Sequence, residues 1–463
     1  MTDGPPGAAV GGSGAPGALD GVLRRRLAIW GMGAEGLALA ELAAGRGVTP
    51  LLVDDHPVEA EERVASTLAA PLDVVGPGDV DWSQVDVVVR SPGVSRYRAE
   101  LVAAEAAGAS VTTTMALWLE DHADAPVLAV TGTKGKSTTA SLAAAILGAD
   151  GRSVELIGNI GVPVLDTYGR PRPDAYVVEV SSYQAADVTR SPGVVVLTSL
   201  APDHLDWHGG VEPYYRDKLR RVEAGPPGHL AVCAGNGEAL SRTADHPDRT
   251  LFGPEGRVVA APDGWLEVDG VRLADTTHLR VAGTHNVWNL CGAVAGVLLL
   301  TGAAPSAAAV EASLSGFAGL PSRCAVVGER DGRTYVDDAL ASNPFASAAS
   351  VRTFDGRPLT VIVGGADRGV DPEPLVEALT AHRPQPSVVV LSPGSEQLAG
   401  VLAGVAGTVR EAIDLAAAVT EATALTPVGG VVLFSPGAPT PEGGGGYRER
   451  SRQFVAAAGL GDG

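Results

Sequence analysis

Lysine is nearly absent from this chain: Lys134, Lys136 and Lys218 are the only three, against 34 lysines and arginines together in 463 residues. Two of them fall within TGTKGKSTTA, Thr131 to Ala140, so arginine has replaced lysine everywhere that a plain positive charge suffices. Cysteine is equally scarce. Cys233, Cys291 and Cys324 are odd in number, far apart and without metal-ligand spacing, which argues against a disulfide framework or a zinc site and fits a reducing compartment. Positive charge is short overall, with a net charge of −20, and a nucleic-acid partner needs a basic stripe that this balance does not supply. Long apolar runs are missing too. Cys291 to Val310 carries no charge, but its Gly, Ser, Thr and Pro residues predict a buried helix and its exit turn rather than a membrane span. The start, MTDGPPGAAVGGSGAPGALDG, has no apolar stretch of the signal-peptide kind; it predicts a disordered leader over 1–23 and a cytoplasmic chain.

What is present is a globular composition, 45% hydrophobic and 19% charged, at a length for about three domains. Leu27 to Gly31 is an apolar run that enters the glycine-rich GMGAEG, followed by a helical pattern to Arg46 and LLVDD at Leu51 to Asp55. This is strand, turn, helix, strand, and VDVVVRSPG repeats the theme. A second series opens with VLAVTGTKGKSTTASLAAAIL and continues with AYVVEVSS and GVVVLTSL. A third holds LTVIVGGADRG, SVVVLSPG and GGVVLFSPGAPT. Near-continuous Val and Leu runs suit parallel sheets covered on both faces. The predicted fold is therefore α/β, three tandem doubly wound domains at 24–124, 125–319 and 320–463: Rossmann-like, P-loop and Rossmann-like. Ligands bind such sheets at the carboxyl ends of the strands, where the glycine-rich turns fall.

In TGTKGKST the glycines let consecutive backbone N–H groups face an anion, and the helix that follows adds its dipole. Lys136 reaches the outer phosphates and Ser137 can ligate Mg²⁺. The usual phosphate-loop pattern has glycine where this chain has Val130. That variant, T-G-T-x-G-K-[ST]-T, resembles the ATP loop of the Mur ligase family, the amide-forming enzymes of peptidoglycan precursor synthesis, which share it with folylpolyglutamate synthases. Glu179 in VVEVSSYQ, His204 in PDHLDWHG and Lys218 in YYRDKL follow in that family's order. Read alone, each has a plainer role: a turn cap, a loop histidine, a surface lysine.

The resemblance implies an ATP site at Gly132, Thr133, Lys134, Gly135, Lys136, Ser137 and Thr138, with Asn286 and Asn289 of THNVWN, Arg323 and Asp338 closing on the nucleotide. It implies two Mg²⁺ ions held by Ser137, Glu179, His204 and a carbamylated Lys218, with Lys136, His204 and Lys218 as the catalytic set. Arginine stays protonated and cannot form the carbamate, which accounts for the retention of Lys218. Lys134 stands at a variable position of the loop. The implied chemistry is phosphorylation of a substrate carboxylate by ATP and attack of an amine on the acyl phosphate; Ser181 and Ser182 lack the G-x-S-x-G elbow of a hydrolase.

GMGAEG with Asp54 some twenty residues on would by itself suggest NAD. Beside the ligase motifs it resembles the family's UDP-sugar domain, with Gly33, Asp54 and Asn159 on the UDP-sugar side and UDP-N-acetylmuramoyl-L-alanine as the implied acceptor. The ordinary D-glutamate-adding members carry D-S-K-A-T-N where this chain has Asp338 to Asn343 with Leu340 in place of the lysine. Arg368 replaces another lysine, and SPGAPT replaces S-P-x-x-A-S. Together these motifs resemble a divergent branch that adds L-glutamate and relies on a partner epimerase. Ser342, Arg368, Thr440 and Tyr447 are the expected glutamate contacts, an Arg fork suiting a carboxylate. The family implies a monomer. A D-glutamate-adding ligase, a folylpolyglutamate synthase and an NAD-binding P-loop switch are the competing readings, the absence of a GMGAEG-type first domain counting against the synthase.

Overall fold

The computed structural model describes residues 17–460 apart from 69–71, 161, 224–227, 282, 318, 367–370, 393–394 and 442–444. Three sheets follow one another along the chain. The first has β1 (Leu27–Trp30), β2 (Leu51–Val53), β3 (Val74–Val75), β4 (Val87–Arg90) and β5 (Ser110–Thr112), all parallel, in the order β3-β2-β1-β4-β5. The order reverses beside β1, which opens a crevice at its carboxyl end.

The second sheet holds β6 (Val127–Thr131), β7 (Val154–Gly158), β8 (Ala175–Glu179), β9 (Val194–Leu197), β10 (His229–Cys233), β11 (Arg249–Gly253), β12 (Val258–Ala260), β13 (Trp265–Val268) and β14 (Val271–Asp275). Its order is β14-β13-β12-β11-β10-β9-β6-β8-β7. Every residue of β6, β8 and β9 is buried. Burial of Val or Leu side chains such as Leu128, Val130 and Val196 is worth roughly 1.5–3 kcal/mol each. The uncharged run at Cys291 lies in helix Thr284–Thr301, which packs on helix Lys136–Ala149 and on this sheet. Among the described residues no helix is long and apolar enough to cross a membrane.

The third sheet holds β15 (Ala325–Arg330), β16 (Arg333–Asp337), β17 (Leu359–Val363), β18 (Ser387–Leu391), β19 (Thr408–Ala412) and β20 (Val431–Phe434), in the order β15-β16-β20-β17-β18-β19.

Two features depart from the sequence expectation. Beyond β12, which is parallel to β11, the antiparallel strands β13 and β14 extend the second sheet, and antiparallel β15 extends the third; β13–β14 turn through Asp269 and Gly270, both at positive φ, which is the Asp-Gly hairpin signal. The leader was expected to be disordered to residue 23, but Ala18–Leu23 is a helix; residues 1–16 lie outside the described set. Its cause is a distant partner: Leu19, Val22 and Leu23 are buried, and the Asp121 carboxylate accepts from the backbone N–H groups of Ala18 and Leu19.

Candidate active site

The turn between β6 and helix Lys136–Ala149 is possible only with its glycines. Gly132 has φ +143° and Gly135 φ +89°, and a Cβ on Gly135 would stand 2.3 Å from Asn289 Oδ1. Asn289 in turn donates to Asn286 Oδ1 at 3.1 Å, so the two asparagines form the loop's far wall. Thr133 Oγ1 donates to the Ala201 carbonyl at 2.9 Å and lies 2.7 Å from the Tyr214 hydroxyl, tying the loop to the segment after β9. Thr138 sits half-buried on the first helical turn.

The three lysines meet here. Lys136 Nζ folds back over the loop to donate to the Gly132 and Thr133 carbonyls at 3.0 and 3.1 Å. Lys218, on helix Val211–Glu223, donates to the same Gly132 carbonyl at 2.8 Å. Lys134 pairs with Asp203 at 3.3 Å. Burial brings Lys136 down to about 8, with Lys134 and Arg323 adding to the effect against Glu179. Burial drives Lys218 well below the ordinary lysine range, and Lys136 beside it pushes the same way. Burial also resists ionisation of Asp203, yet Lys134 and His204 hold its carboxyl down at about 2. His204, at φ 51° on the N-cap of Leu205–His208, is lowered chiefly by burial, Asp203 opposing.

Glu179, at the end of β8, is completely buried. Ser137 Oγ donates to one of its oxygens at 2.5 Å and Asn159 Nδ2 to the other at 2.7 Å. A buried carboxylate held by two neutral donors leaves its charge for a cation to match. No group of three or more His, Cys, Asp or Glu side chains able to hold a metal occurs among the described residues. That donor set suits Mg²⁺, which binds through one or two protein oxygens and completes its shell with water and phosphate.

A separate cavity of ≈ 420 Å³ opens at the carboxyl end of β1, walled by Trp30–Glu35, Asp54–His56 and Ser91–Val94. Gly33 and Asp54 are both in this wall. Asp54 accepts from the Met32 N–H at 2.7 Å and the His56 N–H at 3.0 Å. Asn159 is not in it; the structure places that residue on Glu179.

In the last domain, Arg323 bears electrostatically on Lys136, and Asp338 accepts from Cys324 N–H (3.0 Å), Ser350 (2.6 Å) and Ser435 (2.7 Å). Burial nevertheless pushes Asp338 up to about 6. A folded pKa above the unfolded value gives stability that is complete below pH 4 and lost as pH rises through 6, up to about 3 kcal/mol. Asp338→Asn should remove this slope: denaturant titrations followed by circular dichroism should show the wild type losing about 2–3 kcal/mol relative to the variant between pH 4 and 6.5. Parallel profiles for the two proteins would contradict it.

The expected glutamate contacts are partly gathered. Gly437 N–H donates to Ala341 O, Gly364 N–H to Pro436 O and Ala366 N–H to Pro439 O, at 2.8–2.9 Å, so the loops of Ser342, GGA and Thr440 are joined. Tyr447 is on the first turn of helix Gly446–Ala457. Arg368 lies outside the described residues. Sequence reasoning missed Arg450, a buried cation whose Nη2 donates to Gly364 O at 2.9 Å and whose guanidinium stands 5.1 Å over Phe434. Burial lowers it to about 10. It also missed Asp203, although PDHLDWHG was already singled out.

The chain matches the Mur ligase middle domain over residues 130–297. It is 40% identical over 444 residues to the UDP-N-acetylmuramoyl-L-alanine--L-glutamate ligase of Micromonospora sp. (strain ATCC 39149 / NRRL 15099 / SCC 1413), covering 94% of this chain and 96% of that one. The chain belongs to the Mur ligase family. A ligase of the same name from Xanthomonas axonopodis pv. citri is 36% identical over 457 residues, 94% of this chain and 95% of that one. Among solved structures, the UDP-N-acetylmuramate-alanine ligase of Thermotoga maritima has the same fold, with a TM-score of 0.57 at 19% identity over 93% of this chain and 98% of that one. Membership in the Mur ligase family leaves no place for the reading as an NAD-binding switch.

Proposed function

We propose that this Mur ligase adds L-glutamate to UDP-N-acetylmuramoyl-L-alanine, with ATP converted to ADP and phosphate. The observation that carries the reading is the convergence of Lys134, Lys136, Lys218, Ser137 and Glu179 on one glycine turn, in a chain whose 36–40% identical relatives bear that activity in their names. The cavity walled by Gly33 and Asp54 takes the UDP group, and the loop Gly132–Thr138, Asn286, Asn289, Arg323 and Asp338 take ATP. Thr440, Tyr447, Ser342 and Arg368 take the amino acid. The changed residue Leu340 and the SPGAPT loop at that position support the change of stereochemistry. We assign the domains as 24–124, 125–319 and 320–463.

The acceptor carboxylate attacks the γ-phosphorus of ATP, and the bond to the β-phosphate oxygen breaks to release ADP. The amine of glutamate then adds to the acyl carbon of the acyl phosphate, loses a proton, and phosphate leaves with its bonding pair. Lys136 gives up its two carbonyl partners for phosphate oxygens and neutralises charge as it moves; the backbone N–H groups of the loop hold the rest. Asp203 keeps Lys134 at the loop's rim. Ser137 and Glu179 would hold one Mg²⁺, and His204 with carbamylated Lys218 a second. Bound there, Mg²⁺ supplies charge neutralisation and alignment of the phosphates.

Phosphate release with ATP, Mg²⁺ and UDP-N-acetylmuramoyl-L-alanine tests the reading. Turnover with L-glutamate and at least about 100-fold less with D-glutamate is expected, a discrimination of some 2.7 kcal/mol. The opposite preference would overturn the stereochemical assignment, and no turnover with either would overturn the acceptor.

A further inference from the structure

The loop that walls the first-domain cavity does not stop at the cavity. Beyond Ser91–Val94 it runs through Ser95, Arg96 and Tyr97 onto the central domain. The Ser95 hydroxyl donates to the Trp207 carbonyl at 2.8 Å, and Trp207 Nε1 donates back to the Gly93 carbonyl at 3.3 Å. Tyr97 OH donates to the Asp217 carboxylate at 2.8 Å. Asp217 immediately precedes Lys218 on helix Val211–Glu223 and is 1% exposed.

From Asp217 the chain of bonds continues inward. Its Oδ2 lies 2.7 Å from His208 Nδ1, and His208 Nε2 lies 3.0 Å from Ser182 Oγ. The His208 ring thus bridges the Asp217 carboxylate on one side and the Ser182 hydroxyl on the other. Ser182 is the first residue of the helix that follows Glu179. These three residue types also make hydrolase nucleophiles. Here Ser182 and His208 are 3% and 1% exposed, so no substrate reaches them.

We infer that Tyr97, acting through Asp217 and His208, is a positioning residue that couples occupancy of the first-domain cavity to the phosphate-binding site. One end of the relay is the loop that the UDP ligand would touch. The other end fixes two helices at once: the one that presents Lys218 and the one that leads away from Glu179. A ligand seated against Ser91–Val94 would bear, through the Tyr97–Asp217 bond already in place, on the backbone at either side of the nucleotide loop. The inference rests on the proposed assignment of that cavity to UDP-N-acetylmuramoyl-L-alanine.

Coupling between two binding sites is reciprocal, which supplies a readout that loss of structure alone does not mimic. The affinity of a non-hydrolysable ATP analogue is measured with and without saturating UDP-N-acetylmuramoyl-L-alanine, and the converse pair likewise. In the wild type each ligand should tighten the other by about tenfold, within the usual span of coupled sites. In Tyr97→Phe that factor should fall below about 2 both ways, with the affinities of the single ligands within about threefold of wild type and the thermal midpoint unchanged. His208→Asn should give the same loss, and the double variant no more than either single one. Full coupling retained in Y97F, or none in a wild type that turns the substrate over, would overturn the inference. A wild type that neither binds nor turns over this UDP-sugar would instead remove the functional reading beneath it.

Discussion

Lys136→Met should abolish ligation and, in the ligand-free protein, raise stability. Both effects come from the same geometry. The side chain is half-buried, its amine donates to two carbonyls at 3.0 and 3.1 Å, and it sits at about 8 because desolvation, Lys134 and Arg323 disfavour its charge. An ordinary lysine titrates near 10.4, so the unfolded chain binds more protons between about pH 8 and 10.4. The folded state therefore gains stability as pH rises through that window, and at pH 7 the charged amine costs on the order of 3 kcal/mol. Methionine fills similar volume without the charge. Denaturant titration at pH 7 should thus find K136M at least as stable as wild type, with the alkaline rise in stability gone.

The loss of activity should be about 10³-fold or more in kcat, the scale of removing a preorganised charge from a phosphoryl-transfer site. Lys136→Arg should not rescue it, because a planar fork cannot occupy the space under the loop that a single amine fills. A further sign of the role is proton uptake. Phosphate oxygens next to Nζ restore its charge, so calorimetric titration with ATP at pH 8.5 in buffers of different ionisation heat should show uptake in wild type and none in K136M. Turnover within tenfold of wild type in either variant would sink the assignment.

The parts of this site that the sequence made legible are the parts carried by short contiguous stretches. Gly132 and Gly135 are needed for the positive φ values of a single turn, Ser137 follows on its helix, and Glu179 and Lys218 occur in quotable motifs on a buried strand and a helix. The Asp-Gly pair behind the β13–β14 hairpin was equally visible and went unread because the buried parallel strands dominated the pattern. What could not be read depends on partners far apart in the chain. Lys134 finds Asp203 sixty-nine residues away, Tyr97 finds Asp217 one hundred and twenty away, and the helix at Ala18–Leu23 exists because Asp121 caps it. Arg450 belongs with these. Nothing local marks it off from the arginines around it, yet it is the one drawn into the interior, where it holds the end of β17 against helix Gly446–Ala457.

Lys218→Ala should lose at least about 10³-fold in kcat and regain part of it with formate or acetate at tens of millimolar. The reasoning starts from burial. Lys218 is 4% exposed, donates to the Gly132 carbonyl at 2.8 Å and stands 5.1 Å over the Tyr214 ring, with Lys136 close enough to push its protonation further down. Burial and the neighbouring Lys136 thus favour the neutral amine over what an ordinary lysine shows, and a neutral amine is the form that attacks CO₂. Carbamylation would form an N–C bond, release a proton and replace an amine that repels cations with a carboxylate that could hold one. Truncation to alanine leaves room for a short carboxylate to take that place. Lys218→Arg leaves none and brings a permanent charge, so it should be inactive and refuse rescue. Removing CO₂ and bicarbonate from the wild type should reproduce the defect reversibly, and ¹³C-labelled bicarbonate should yield a carbamate resonance that K218A lacks. Undiminished turnover in K218A would remove Lys218 from the mechanism. Loss without carboxylate rescue and without CO₂ dependence would leave it a purely structural amine that spans the loop and helix Val211–Glu223.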